Sequence, residues 1–157
     1  DVHVGCKLDT TAVIAAKKSI RKAKLHLFED EAQAIEARFS TEWGSTTDIK
    51  WDNVDYVPTA GTSYVTIEIH NSNANVAGFG GSDMMYRMRG LISINIFAAL
   101  NSGTRAARAL ADTAAGIFRG EEFNSIVCSA PTIARSGQVE DWFVYNVTVP
   151  FYRNEIL

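Results

Sequence analysis

The sequence predicts an α+β fold, a mainly antiparallel sheet with helices packed on one face. Three observations predict it. Apolar residues recur at three- and four-residue steps near the N-terminus and again over 101–118. Elsewhere they alternate at every second position, the strand period. The order of the two patterns, α(α)-β-β-β-α-β-β, groups strands together instead of alternating them with helices. With 157 residues, 46% apolar and 21% charged, the chain suits one domain, or one domain with an arm.

Asp9 or Thr10 can cap a first helix whose stripe is Val13, Ala16, Ile20, Ala23 and Leu27. The triplet Glu29-Asp30-Glu31 falls on that stripe and interrupts it. Asp30 can cap a second helix, with Gln33 completing a capping-box pattern. Its stripe is Ala32, Ile35, Phe39 and Trp43, and Gly44 ends it. One bent continuous helix is the alternative.

Three strands are expected next. Asp48 to Tyr56 is stopped by Pro58 and Gly61, and Ser63 to His70 alternates, with Val65, Ile67 and Ile69 on one face. From Met84 to Ala98 the even positions are apolar, with Gly90 marking a bend or bulge. Residues 71–83 between the last two, rich in Asn, Gly and Ser, read as a long loop between the second and third strands. Asn101 or Ser102 then caps a helix with Ala107, Leu110, Ala114, Ile117 and Phe118 inward, closed by Gly120. Two last strands span 123–134 and 141–152, with Ser136-Gly137 as their turn.

The net charge of −3 is unevenly placed. Residues 1–27 form a basic N-terminal arm or helix: Lys7, Lys17, Lys18, Arg21, Lys22 and Lys24 against Asp1 and Asp9 give +4. Residues 28–157 hold the other nine basic and sixteen acidic side chains, a net −7. Such a body repels nucleic acid over most of its surface, whereas the arm could bind phosphate or an acidic neighbour. Cys6 and Cys128 are far apart and form no C-x-x-C, so neither a disulfide framework nor a thiolate zinc site is supported. No apolar run is long enough for a transmembrane helix. The opening Asp-Val-His-Val-Gly lacks an initiator Met and a signal-peptide plan, the pattern of a chain that begins inside a longer gene product.

The search for chemistry returns little. Gly78-x-Gly80-Gly81 resembles a phosphate cradle, but Asp83 takes the sixth position and a strand follows instead of a helix. His3, His26 and His70 sit in unrelated elements, and His70 beside Glu68 reads as a solvated pair. Asp52 and Asp55 flank Asn53, where carboxylates usually cap a turn. Asn146-Val-Thr148 matches a glycosylation sequon but falls inside a strand. Arg87 and Arg89 point the same way, placed to pair with acids on a neighbouring subunit. No catalytic, metal or cofactor set converges. The reading is binding or assembly, not an enzyme.

Several stretches in order are similar to bacteriophage tail terminator-like proteins. They are Ile49-Lys-Trp51-Asp-Asn53-Val54-Asp-Tyr56 with Pro58, Tyr64-Val-Thr-Ile-Glu-Ile69, the Gly-rich segment, and Tyr86-Arg-Met-Arg-Gly90-Leu-Ile-Ser-Ile-Asn-Ile-Phe97. Arg108-Ala-Leu-Ala-Asp112-Thr-Ala-Ala-Gly-Ile117-Phe118 and Val147-Thr-Val-Pro150-Phe151-Tyr-Arg153 complete the set over residues 28–157. The resemblance implies a structural virion protein, assembled in the host cytoplasm. Its homohexameric ring would cap the tail tube, end tail polymerisation and join the tail to the head-side connector or neck. Implied partners are other copies of the chain, the tail tube protein, the head-side connector, and DNA passing through the lumen without specific binding. The alternatives are a nucleic-acid-binding module acting through the basic arm, or another neck or tail-tube ring protein of the same fold.

Residues 1–27 depart from the resemblance. Five cations from Lys17 to Lys24 make a poor isolated helix, so the arm is expected to pack on a neighbouring subunit or partner. Phe79, between Gly78 and Gly80 in the expected loop and followed by Gly81, is the candidate docking anchor.

Overall fold

The computed structural model describes residues 27–80 and 83–156, and the expected first helix, with the cations of the arm, lies outside them. Two helices lie over one face of a seven-stranded sheet, which is antiparallel except for one pair. The α+β class read from the sequence is the observed one.

Helix α1 spans Leu27–Trp43. It is already running at Leu27, so Asp30 sits in its first turn instead of capping it. Ile35, Phe39 and Trp43 are buried, as their spacing demands. Phe39 stacks on Trp43 at 5.3 Å and on Phe118 at 6.2 Å between ring centroids. Gly44, at φ +55°, ends the helix in the left-handed conformation that glycine adopts without steric cost.

Strand β1 is only Asp48–Lys50 and runs parallel to β2 (Tyr64–Gly80). The predicted strand was longer. Beyond Lys50 the chain needs residues 51–63 to return for a parallel pairing, and such a crossover takes about a dozen residues. In that return, Asn53 adopts φ +52° and its amide donates to the Asp52 carboxylate, the capping role expected there. Strand β3 (Asp83–Ala99) pairs with β2 from Asp83 to Phe97.

Helix α2 (Thr104–Phe118) buries Ala107, Ala111, Ala114, Ala115, Ile117 and Phe118. Its N-cap is Gly103, with no side-chain cap; Ser102 Oγ instead donates to the Ala99 carbonyl at 2.6 Å. Neither Asn101 nor Ser102 therefore caps it. Gly120 at φ +65° follows its end. Arg38 of α1 ties the helices together: Nε donates to the Ile117 carbonyl at 2.9 Å, and Nη2 lies 3.1 Å from Glu121.

The C-terminal third is more finely divided than the sequence suggested. Strands β4 (Glu122–Phe123) and β5 (Ile126–Cys128) form a small hairpin, and β6 (Thr132–Val139) starts after Pro131. Strand β7 (Trp142–Ile156) pairs with β3 throughout, with β6 over its first half and with β5 near its end. The β6–β7 turn is at Glu140-Asp141, not Ser136-Gly137. Gly137, at φ +89°, supplies a bulge at the register shift after Arg135, a second use of the same glycine-rich signal.

The helix-covered face holds the core: Val65 and Ile67 of β2, Ile92, Ile94 and Ile96 of β3, and Tyr145, Val147, Val149 and Phe151 of β7. The other face holds a small apolar cluster of Tyr64, Trp142 and Val144, with Tyr56 and Phe97 against it.

Candidate interaction surfaces

The surface is built on the β2–β3 hairpin. Its inner half, Tyr64 to His70 against Leu91 to Phe97, lies under the helices. Its outer half, from Asn71 and Gly90 onward, extends past them with β7 still paired alongside to Ile156.

Residues 71–80 therefore do not form the expected loop. They are strand, paired from Asn71↔Gly90 to Gly80↔Asp83 with shifts between Asn71 and Ala74 and between Val76 and Gly78. Asn, Ser and Gly have weak strand preference of their own. Here the ladder to β3, itself fixed by β7, supplies the order that composition does not.

Among the residues singled out from sequence, Gly78 pairs with Met85, Phe79 with Met84 and Gly80 with Asp83, all in strand. Gly81, Lys17, Lys18, Arg21, Lys22 and Lys24 lie outside the described residues. Arg87 is held within the subunit: Nε donates to Asn154 Oδ1 at 2.9 Å, and the guanidinium lies 4.4 Å from the Tyr152 ring centre. Arg89 is exposed. His70 lies 3.4 Å from Glu68, and both are exposed enough for solvent to screen the pair.

Gly90 stands where the two halves meet. A Cβ there would lie 2.7 Å from Cε1 of Phe151 and 2.9 Å from the His70 carbonyl oxygen. Only glycine fits so close an approach.

Two features of the site were not read from the sequence. The first is a buried ionic cluster at the foot of the outer half. Arg153 Nε faces Glu31 at 3.3 Å and its Nη2 faces Glu155 at 2.8 Å, while Asn71 donates to Glu31 at 2.6 Å. All three charged residues are buried, at 2–7% exposure. Burial pushes the Glu31 carboxyl above its ordinary value; the Asn71 bond and Arg153 pull it back, and Glu155 adds to the rise. Parity held a signal: Arg153 and Glu155 share the face of Val149 and Phe151, and Glu31 lies on the apolar stripe of α1.

The second is an uncharged ladder on the open face. Asn95 donates to Thr66 at 3.3 Å, Asn146 to Asn95 at 2.8 Å and to Ser93 at 3.0 Å, and Thr148 to Asn146 at 2.8 Å. These groups satisfy one another across three strands. The residues of the sequon are thus part of the sheet.

The two edges of the sheet differ from its centre. Among the described residues, no strand pairs with β2 on its outer side beyond Thr66, where β1 ends, and none pairs with the outer side of β6. From Asn71 to Gly80 the β2 edge carries no charged side chain. Strand β6 exposes Ile133 at 38% and Val139 at 48%. Natural edges are usually guarded by charge or proline. The β2 edge has bulges and no charge, and the β6 edge has a bulge, the exposed Arg135 and Pro131 just before it.

Elsewhere a cleft of about 260 Å³ lies between residues 50–55 and Thr66–Glu68. Among the described residues no group of three His, Cys, Asp or Glu is placed to hold a metal, and no helix is long and apolar enough to cross a membrane. Burial pushes the Cys128 thiol up to about 11.

A family model described as phage tail terminator protein matches residues 32–151, well over half of the chain. Nine solved chains match. One of them is 13% identical, with 77% of this chain and 93% of that chain covered at a TM-score of 0.55, a likeness of fold. No curated protein matches the sequence.

Proposed function

The chain belongs to the phage tail terminator family, and from that premise we propose that it assembles into a homohexameric ring that caps the tail tube. The ring ends tube polymerisation and joins the tail to the head-side connector, which places the protein in the neck of the virion after assembly in the host cytoplasm. It is a structural protein.

The observation that carries this reading is the pair of edges at opposite sides of one sheet that have no strand partner among the described residues. Strand β6 is antiparallel to β7, β7 to β3 and β3 to β2, so β6 and β2 run in opposite directions. A second copy can therefore add its β2 edge to the first copy's β6 edge and continue the antiparallel alternation. Such a contact is heterologous, because different surfaces meet, and heterologous contacts generate rings when the rotation closes. A stagger between the two strands is needed, since β1 covers Tyr64 to Thr66 of β2; tilted strands in closed sheets have such a stagger.

DNA passing through the ring would meet the open face. There the Thr66–Asn95–Asn146 ladder is uncharged and Arg87 is already engaged by Asn154 and Tyr152, while Lys50 beside Thr66 and Arg89 are exposed cations on the same face. Phe79, beside the end of the hairpin, is the proposed anchor on the tail tube.

The test is the assembly state. Native mass and electron micrographs of the purified chain should give six-subunit rings, and rings should sit at the ends of tail tubes. Monomers at high concentration, with bare tube ends, would refute the reading.

A further inference from the structure

We propose that β6 of a second copy seats two side chains on the helix-side face of the outer hairpin, Ile133 against Val76 and Arg135 over Ala74 toward Glu31. This contact rests on the edge-to-edge pairing proposed above and fixes its register. The receiving face is apolar with an acidic foot. Ala74, Met88 and Arg153 stand side by side across three strands, and Val76, Tyr86 and Glu155 form the next row. Tyr86 and Met88 share the parity of Ile92, Ile94 and Ile96, which the helices bury completely. In the outer half the same face leaves Val76 46% exposed. At the foot, Asn71 donates to Glu31, which follows Glu29 and Asp30 at the start of α1. Among the described residues, the buried Glu31 and Glu155 have one cation between them, Arg153. A second cation brought to the foot would offset the excess acid.

The β6 edge carries the complement. Ile133 pairs with Val147 and Arg135 with Tyr145, both in the helix-covered core, so Ile133 and Arg135 stand on the helix side. Both are exposed. The Arg135 guanidinium lies 5.2 Å from the Phe143 ring centre and has no ion pair among the described residues. Opposed residues of paired strands point to the same face, so in a continued sheet these two can meet only helix-side residues of β2. Setting Ile133 opposite Val76 brings Arg135 opposite Ala74. The β6 register shift after Arg135 then lies level with the β2 shift between Asn71 and Ala74, so the extra residues of the two edges face each other. Val139 comes level with His70, clear of β1, which ends opposite Thr66. Sliding β6 two residues outward would set Ile133 opposite Gly78, which pairs with Met85 on the open side. Sliding it two residues inward would set Arg135 opposite Ser72, inside the bulge. One register satisfies both edges.

The experiment cross-links copies of the full chain. In a Cys6→Ser background, with Cys128 buried, chains carrying Val76→Cys are mixed with chains carrying Ile133→Cys, assembled and oxidised with copper–phenanthroline. Directly opposed residues have Cα atoms about 4.5–5.5 Å apart, within disulfide reach. The expected result is a covalent dimer from the mixture and from neither chain alone. Ile133→Cys should cross-link about tenfold less with Ala74→Cys or Gly78→Cys, whose positions lie two residues off. Efficient cross-linking at either of those would overturn the register. Rings in electron micrographs with no cross-link at any of the three pairs would overturn this contact and leave the ring standing, whereas the absence of rings would overturn both. Arg135→Glu, at an exposed position, should leave subunit melting unchanged and weaken assembly by about tenfold or more, because it sets like charges together. Arg135→Lys should assemble nearly as the parent does. Parent-like assembly by Arg135→Glu would remove Arg135 from the contact and overturn the charge pairing.

Discussion

The two halves of the β2–β3 hairpin share one ladder but are held in place differently. In the inner half, Ile67, Ile92, Ile94 and Ile96 are pressed under α1 and α2, and each is almost wholly buried. In the outer half, β2 reads Asn-Ser-Asn-Ala-Asn-Val-Ala-Gly, and its order comes from pairing with β3 and from the ionic cluster at its foot. Apolar area fixes the inner half. Backbone pairing and a few specific polar contacts fix the outer one. An element can thus be regular along its whole length while only part of it belongs to the core, which leaves the remainder available for partners.

Arg153→Met should break the comparison most severely. It leaves Glu31 and Glu155 buried without their cation, a change that typically costs about 3–5 kcal/mol. If the outer half were only an appendage, thermal melting would hardly move. Gly90→Ala forces a Cβ into Phe151 and the His70 carbonyl, and such overpacking costs about 1–3 kcal/mol. Denaturant melts should give that loss with an unchanged slope.

Glu31→Gln sharpens the account of the cluster. It keeps an acceptor for Asn71 and leaves Arg153 paired with Glu155. Because burial raises the folded carboxyl above its ordinary 4.5, the folded state holds more protons than the unfolded state from 4.5 up to the raised value. Glu31 therefore lowers stability as pH rises through that window. Denaturant melts across it should find the Gln variant less pH-dependent, and more stable than the parent above it. A steeper dependence would contradict the assignment.

Smaller effects on the subunit are expected at its edges. Ile133→Lys with Val139→Lys, both on exposed β6 positions, should each change subunit stability by no more than about 0.5 kcal/mol. Together they should abolish assembly, since charge on an edge discourages pairing. Phe79→Ala should likewise leave stability within about 0.5 kcal/mol while reducing attachment to the tail tube. Sedimentation and tube-binding assays check these two.

The inner half was legible because burial imposes a period. Val65, Ile67 and Ile69 alternate, and the even positions from Ile92 to Ala98 continue the same face in the next strand. The stripes Ile35, Phe39, Trp43 and Ala107, Ala114, Phe118 marked the helices for the same reason. The outer half was not legible, because a strand ordered by its neighbours needs no apolar period. Composition there suggests a loop. Ser136-Gly137 shows a similar limit, since a glycine with positive φ serves a bulge as well as a turn. The ionic cluster brings together residues more than a hundred positions apart, and only the packing of α1 on β7 shows that they meet.

Assembly tests the central claim most directly. Electron micrographs of the purified full chain, classified without imposed symmetry, should give sixfold rings in which β6 of each copy lies antiparallel to β2 of the next. Rings joined through other surfaces would refute the edge contact. Isolated subunits at every concentration would contradict the ring itself.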